Sequence, residues 1–393
     1  VMKNKFERVS LLPPYVFAKI NELKAKQRSK GRDIIDLGMG NPDSGTPKHV
    51  VEKLIETVKN LKTHRYSVSR GIEGLRNAQK KYYERRFNVK LDKEKEICVT
   101  LGSKEGLANL ASAITSKGDI ILVPNPSYPI HPYGFLIAGA AVKNIRINNL
   151  ERFLTELSIK IKKYSNKIKA VVINFPNNPT TKLVDLNFYE ELVSICRKNN
   201  IWILSDLAYA EIYFEVDPPP SILQVKNAKD VAVEFSSMSK SYNMPGWRIG
   251  FACGNQTLIG ALARIKSYLD YGAFTPIQVA ATAALNGPQN VVNDIRDIYR
   301  KRRDVLIKSM SRAGWEIPLP KATMFAWAPI PKKYVNKGSI YFSKLLLKKA
   351  ALAVSPGIGF GSYGDKYVRI SLVENEQRIR QAARNIKNNL NLI

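Results

Sequence analysis

Cysteine is scarce in this chain. Cys98, Cys196 and Cys253 are spread over 393 residues with no Cys-x-x-Cys spacing. This excludes a disulfide framework and a cysteine-based zinc site, and points to a reducing compartment. Histidine is equally sparse: His49, His64 and His131 show no metal-ligand spacing, so they read as structural and no metal is expected. No apolar run is long enough to span a bilayer, and the opening VMKNKFERVS lacks the apolar core of a signal peptide. The expected location is therefore the cytoplasm, with no membrane partner. Carboxylates are also in deficit, with 33 Asp and Glu against 62 Lys and Arg, a net charge of +29. Such a surplus raises the question of nucleic acid. The lysines, however, are dispersed through polar stretches such as LDKEK (91–95) and KIKKYSNKIK (160–169), with no RNA-binding or zinc-finger motif. The charge reads as a solvated lysine-rich surface, and no nucleic-acid partner is expected.

What is present is a large apolar fraction, 45% of residues, enough for a substantial core. From about residue 46 the pattern alternates helix and strand. Strands are predicted at Glu96–Thr100, Asp119–Pro124, Ala141–Ile147, Lys169–Phe175, Ile201–Ser205 and Asp230–Phe235. Continuous apolar strands separated by helices argue for an α/β fold with a mostly parallel sheet buried on both faces. After about residue 288 the texture changes to a long charged helix (290–313), strands at 315–318, 323–328, 352–355 and 367–372, and a basic terminal helix. The expected organisation is a large domain over 46–287 and a small domain built from 1–45 and 288–393.

In an open α/β sheet, ligands bind at the carboxyl ends of the strands. Polar groups cluster after several predicted strand ends. Gly102-Ser103-Lys104 turns from a strand straight into a helix, whose N-terminal N–H groups can bind phosphate; an ordinary N-cap reads the same way. Asn178, in NFPNNPT, can donate to a phenolate oxygen and a carboxylate, or simply shape an Asn-Pro turn. Asp206, at the tip of a buried strand, needs a partner such as a pyridinium nitrogen, unless it caps a helix. Tyr209 follows three residues later. The segment VEFSSMSKSYNMPGWRIG (233–250) presents Lys240 in a turn of small residues, with Ser237 and Arg248 placed to flank it as phosphate ligands.

That last pattern resembles the pyridoxal-phosphate lysine segment of fold-type-I aminotransferases. With MGNPD, YSVSRGIEGLR, LGSKEGLA, PNPSYPIH, NFPNNPT, SDLAYAEI, ARIKSYLDYGAFTPIQ, SPGIGFG and YVRISL in order, essentially the whole chain resembles class I/II aminotransferases. The likeness is greatest to the branch of bacterial alanine (glutamate–pyruvate) and LL-diaminopimelate aminotransferases. The resemblance implies pyridoxal 5′-phosphate as cofactor and Lys240 as its Schiff-base lysine and general base. It implies that Ser103, Lys104, Ser237 and Arg248 hold the phosphate, with Tyr66 reaching it from the other subunit of a homodimer. Tyr128 is expected to stack on the pyridine ring, Asn178 and Tyr209 to bond its 3′-oxygen, and Asp206 to hold its nitrogen. Arg369 matches the arginine that grips the substrate α-carboxylate, Gly40 a residue whose backbone approaches it, and Tyr15 an arm residue near the substrate.

The implied activity is transfer of an amino group between an L-amino acid, alanine or glutamate first, and a 2-oxo acid. SYLDYGAFTPIQ (267–278) contains Asp270 and no arginine, which disfavours aspartate as donor; Arg70 is a candidate for the second carboxylate of 2-oxoglutarate. The alternatives are a lyase of the same fold, a transaminase for aspartate or LL-diaminopimelate, and, from another class, a cofactor-sensing transcription regulator. The regulator would need an added DNA-binding domain.

Overall fold

The computed structural model describes residues 6–14, 16–147, 149–390 and 392. Its strands are β1 (Ile35–Asp36), β2 (Ile97–Thr100), β3 (Ile120–Asn125), β4 (Ala141–Arg146), β5 (Ile168–Asn174), β6 (Trp202–Asp206), β7 (Ala232–Ser237), β8 (Gly250–Gly254), β9 (Phe325–Pro329), β10 (Leu352–Ala353), β11 (Ser355–Pro356) and β12 (Tyr367–Ser371). Among the described residues, β2–β8 make one seven-stranded sheet in the order β2-β8-β7-β6-β5-β3-β4. Neighbours are parallel except at β8, which runs antiparallel to both β2 and β7.

The strands are apolar throughout because both faces are covered. Side chains alternate along a strand, so Ile121, Val123, Val172, Leu204 and Val233 meet Leu107, Leu110 and Phe135 on one face. Their chain neighbours Ile120, Leu122, Val171, Ile173 and Ile203 meet Phe153, Tyr189 and Leu192 on the other. The edge strand β4 buries only Ile145 and leaves Asn144 and Arg146 exposed, which discourages pairing with another sheet.

β8 was not among the strands expected, and it matters for the site. Its reversed direction brings its first residue, Gly250, beside the last residues of β2 and β7, Thr100 and Ser237. Arg248, just before it, therefore arrives at the carboxyl ends of the parallel strands. A Cβ on Gly250 would stand 2.7 Å from the Ser103 nitrogen and 2.8 Å from both Gly102 C and Ser236 O. No side chain fits between the three segments.

A second apolar cluster surrounds the antiparallel sheet β11-β12-β9 and the helices Asn290–Ser311, Gly338–Ala350 and Glu376–Asn389. β1 pairs in parallel with β10, so the start of the chain packs with this later part. The strand expected at Trp315–Pro318 does not form. Trp315 is buried with its indole N–H donated to the Pro329 carbonyl at 2.8 Å, and Pro318 and Pro320 lack the N–H groups a ladder requires.

Candidate active site

The carboxyl ends of β2, β5, β6 and β7 open into a cavity of about 470 Å³, closed from the other side by Gly40 and Asn41 and by Phe325, Phe360 and Arg369. At one end lie Ser103, Lys104, Ser237, Ser239 and Arg248. Ser103 begins the helix Ser103–Ile114, and Gly102 precedes it at φ +83°. A Cβ on Gly102 would stand 2.4 Å from Arg248 Nη2, so glycine both supplies the turn and makes room for the guanidinium. Arg248 itself takes a left-handed conformation, φ 57°, and donates to the carbonyls of Pro245 at 2.8 Å and Leu101 at 3.3 Å. Ser237 Oγ accepts the Ser239 N–H at 3.1 Å, capping the short turn that carries Lys240. Three serines, a lysine, a helix N-terminus and a guanidinium thus line this end of the cavity, which suits a phosphate dianion.

Lys240 is half-buried, and its Nζ donates to the Gly40 carbonyl at 2.8 Å. Burial, reinforced by the cations Arg369 and Arg248, lowers its pKa from 10.5 to about 8. A lysine so placed is an accessible nucleophile and base near neutrality.

Asp206, the last residue of β6, is 5% exposed. Its Oδ1 accepts the Ala208 N–H at 3.1 Å, and its Oδ2 accepts from His131 Nε2 at 2.9 Å. His131 has no exposure, and its role at this carboxylate escaped the sequence reading, which left it structural. The only signal was its position three residues after Tyr128. Tyr128 lines the cavity with its ring 6.0 Å from that of His131, and burial raises its pKa. Asn174 was also missed. Its Nδ2 donates to the Asp206 carbonyl at 2.8 Å, and its Oδ1 accepts the Asn178 N–H at 2.9 Å, so one amide orients two strand ends.

Across the cavity Arg369 Nη1 donates to Asn178 Oδ1 at 2.9 Å and Nη2 to the Gly38 carbonyl at 3.1 Å. The guanidinium lies between the rings of Phe325 and Phe360, 4.1 and 4.7 Å from their centroids. Tyr209, whose pKa burial pushes well up, lies with its hydroxyl 3.5 Å from Asn178 Nδ2. The expected residues Gly40, Ser103, Lys104, Tyr128, Asn178, Asp206, Tyr209, Ser237, Lys240, Arg248 and Arg369 therefore meet around one cavity. Tyr66 does not line it: it is 84% exposed, with its ring 4.5 Å from that of Tyr271. Arg70 does not line it either. Its Nε donates to the Ile97 carbonyl at 3.2 Å, at the start of β2 and away from the carboxyl end. Tyr15 lies outside the described residues.

Residues 32–386 match the family Aminotransferase class I and II. The chain is a class I/II aminotransferase. It is 52% identical to the glutamate-pyruvate aminotransferase AlaC of Escherichia coli (strain K12), over 98% of this chain and 93% of that one. It is 40% identical to the LL-diaminopimelate aminotransferase of Moorella thermoacetica, over 97% of each. Among solved structures, apo-BacF of Bacillus subtilis superposes with a TM-score of 0.94 at 34% identity, covering all of both chains. The fold is that of the fold-type-I enzymes, and the cofactor of this aminotransferase is pyridoxal 5′-phosphate. The cavity fits that group: an anion cradle at one end, a buried carboxylate along its wall, and a half-buried amine of lowered pKa facing it.

Proposed function

We propose that this aminotransferase moves the amino group between L-alanine or L-glutamate and pyruvate or 2-oxoglutarate. One observation carries the reading: Arg369, a carboxylate-binding fork, and Lys240, a base of lowered pKa, face the same cavity. Among the described residues lining that cavity the arginines are Arg369 and Arg248, and Arg248 belongs to the phosphate end. No second guanidinium is left for a distal carboxylate within one chain, which favours a small donor such as alanine. The 52% identity to AlaC supports the same choice.

In this reading Ser103, Lys104, Ser237 and Arg248 hold the phosphate, Tyr128 covers the ring, Asn178 and Tyr209 bond its 3′-oxygen, and Asp206 sits at its nitrogen. Pyridoxal phosphate, when bound, supplies the electron sink that stabilises negative charge at the substrate α-carbon. The residues of the chain do the rest. Arg369 takes the α-carboxylate in two parallel hydrogen bonds, with Gly40 beside it, and fixes the α-hydrogen's direction. Lys240, unprotonated, would take that proton and give it back across the nitrogen at the cofactor's C4′ carbon, so that the amino group stays behind on the cofactor. His131 and the Ala208 N–H fix the Asp206 carboxylate in position.

The same reading places Tyr66 against the phosphate of a partner subunit in a homodimer. What supports it is the exposure of Leu61, Tyr66, Val68, Tyr268, Leu269 and Tyr271, a large apolar surface for a monomer. It also divides the chain into domains at 46–287 and 1–45 with 288–393, in keeping with the separate apolar clusters. It assigns the enzyme to the cytoplasm, in keeping with three cysteines that are all free and buried.

The 40% identity to an LL-diaminopimelate aminotransferase favours that donor as a second reading. Steady-state rates for alanine, glutamate, aspartate and LL-diaminopimelate, each with pyruvate and with 2-oxoglutarate, decide between them. Alanine with 2-oxoglutarate should give the highest kcat/KM. Ammonia released without any oxo acid would make the protein a lyase instead.

A further inference from the structure

Lys266, on the helix Gln256–Leu269, lies outside the cavity and has no solvent exposure, yet it carries an ammonium. Its Nζ donates to Glu105 Oε1 at 2.9 Å and to Asp270 Oδ2 at 2.9 Å. Desolvating an ammonium is costly, and well-packed apolar residues often replace buried ion clusters without loss of stability. Packing alone does not account for the charge.

The two carboxylates hold different loops. Glu105 stands in the first turn of the helix Ser103–Ile114, and its Oε2 accepts the Leu101 N–H at 2.8 Å. The Leu101 carbonyl accepts from Arg248 at 3.3 Å, and the chain continues directly into Gly102 and Ser103. Glu105 thereby sets the entry to the phosphate cradle of its own chain. Asp270 Oδ1 accepts the Gly272 N–H at 2.6 Å, and the Asp270 backbone carbonyl accepts the Ser69 hydroxyl. Gly272, at φ +79°, passes so near the Val68 carbonyl that a Cβ would lie 2.3 Å from it. Gln278, fully buried, donates to Ser67 Oγ at 2.9 Å and to the Ala273 carbonyl at 2.7 Å. Asp270 thereby sets the loop that presents Tyr66.

We infer that Lys266 is a positioning residue for two phosphate sites at once. Through Glu105 it shapes the cradle of its own chain, and through Asp270 it aims Tyr66 at the cradle of the partner. The second half rests on the homodimer proposed above. A single ammonium neutralises both carboxylates, so its loss loosens both loops together, and occupancy of one site is linked to the geometry of the other.

Hybrid dimers test this. One chain carries Lys240→Ala, so only the other chain's lysine can be fixed to pyridoxal phosphate by borohydride, and intact mass identifies that chain. The quantity read is the cofactor concentration giving half-maximal fixation. Asp270→Asn in the Lys240→Ala chain should raise it about tenfold, the scale of one charge-assisted hydrogen bond, although the lysine-bearing chain is unaltered. Asp270→Asn in the lysine-bearing chain should leave it unchanged. Glu105→Gln should show the opposite placement dependence. Lys266→Met should weaken fixation in either chain, and Lys266→Arg should recover part of it. If Lys266→Met does not fold, the two carboxylate variants carry the test. A merely structural role would lower the melting temperature wherever the substitution sits and would leave no placement dependence; that result overturns the inference. Tyr66→Phe in the Lys240→Ala chain separates the two readings. If it weakens the other chain's site while Asp270→Asn does not, the role of Lys266 falls alone. If neither has an effect, the shared-site homodimer falls, and the trans half of this inference with it.

Discussion

Arg369 donates to Asn178 Oδ1 at 2.9 Å, and Asn178 Nδ2 lies 3.5 Å from the Tyr209 hydroxyl. One side-chain amide thus joins the antiparallel sheet to the loop after β5 across the cavity and fixes Arg369 relative to Tyr209. The guanidinium is also held flat between Phe325 and Phe360. Arg369→Lys keeps the charge but loses the fork and the stacking. It should raise KM for L-alanine by about tenfold or more, the worth of one hydrogen bond to a charged group, and lower kcat far less. An unchanged KM would remove Arg369 from the carboxylate site.

Lys240 should capture cofactor with a pH profile shifted from that of a free lysine. Its unfolded value is 10.5 and its folded value about 8. Between those values the folded chain binds fewer protons, so the neutral amine accumulates as pH rises through about 8 and the burial penalty eases in the same window. The rate of borohydride-fixable loading of apoenzyme should rise with that midpoint and level off above it. A midpoint at 10.5 contradicts the assignment. Lys240→Ala should still bind cofactor but lose multiple-turnover transamination.

Asp206 is tested by three substitutions in a single-turnover assay with L-alanine at saturating cofactor. On the proposed reading its carboxylate keeps the ring nitrogen protonated, so that the ring can accept the negative charge developing at the substrate α-carbon. Asp206→Ala should slow α-proton abstraction much more than it weakens substrate binding. Asp206→Glu should retain more activity than Asp206→Asn. A wild-type rate for Asp206→Asn would reduce Asp206 to a cap for the Ala208 N–H.

Gly250→Ala should impair the cradle without removing any polar side chain. The new methyl meets backbone atoms of Ser103, Gly102 and Ser236 at 2.7–2.8 Å, and none of them is a movable side-chain tip. Overpacking of this kind costs about 1–3 kcal/mol. Calorimetry should show a lower melting temperature together with weaker cofactor binding. A variant with unchanged affinity would mean that the phosphate end tolerates displacement.

Glu234 gives a pH signature in stability. It is buried on β7 and accepts from Ser221 Oγ at 2.6 Å, Tyr83 Oη at 2.9 Å, the Ile222 N–H at 3.2 Å and Ser205 Oγ at 3.3 Å. Burial raises its pKa from 4.5 to about 7 despite those bonds. The folded chain then holds a proton that the unfolded chain has released, so this contribution is complete below 4.5 and is lost as pH rises through about 7. Urea titrations should show wild type losing stability relative to Glu234→Gln across that window. Parallel curves for the two proteins would contradict it.

Much of the site is legible in the sequence because each strand end couples an apolar run to a distinctive turn. Gly102-Ser103, Asn177-Asn178, Asp206 and Ser237-Met238-Ser239-Lys240 each follow such a run. β8 is not legible in this way. GFACG is five residues with a glycine at each end, and nothing in it marks its direction; only its pairing with β2 and β7 does. His131 is opaque for another reason: its partner Asp206 is 75 residues away in the chain. Arg70 could not be placed from sequence either: its side chain is tied to the Ile97 carbonyl at the start of β2, a contact 27 residues away in the chain.

The reversed strand also has a consequence for biosynthesis. β2 is the first strand of its sheet to be made, and β8, its hydrogen-bonded neighbour there, is the last. Closing so long a loop delays pairing, and β2 waits without its neighbour while β3 to β7 can already assemble. The cradle needs Ser103 from beyond β2 and Arg248 from before β8, brought together at Gly250. On the proposed reading of Ser103 and Arg248, a nascent chain cannot complete its grip on the cofactor phosphate until β8 has been made and paired with β2, and a truncation within β8 should bind cofactor more weakly than the full chain.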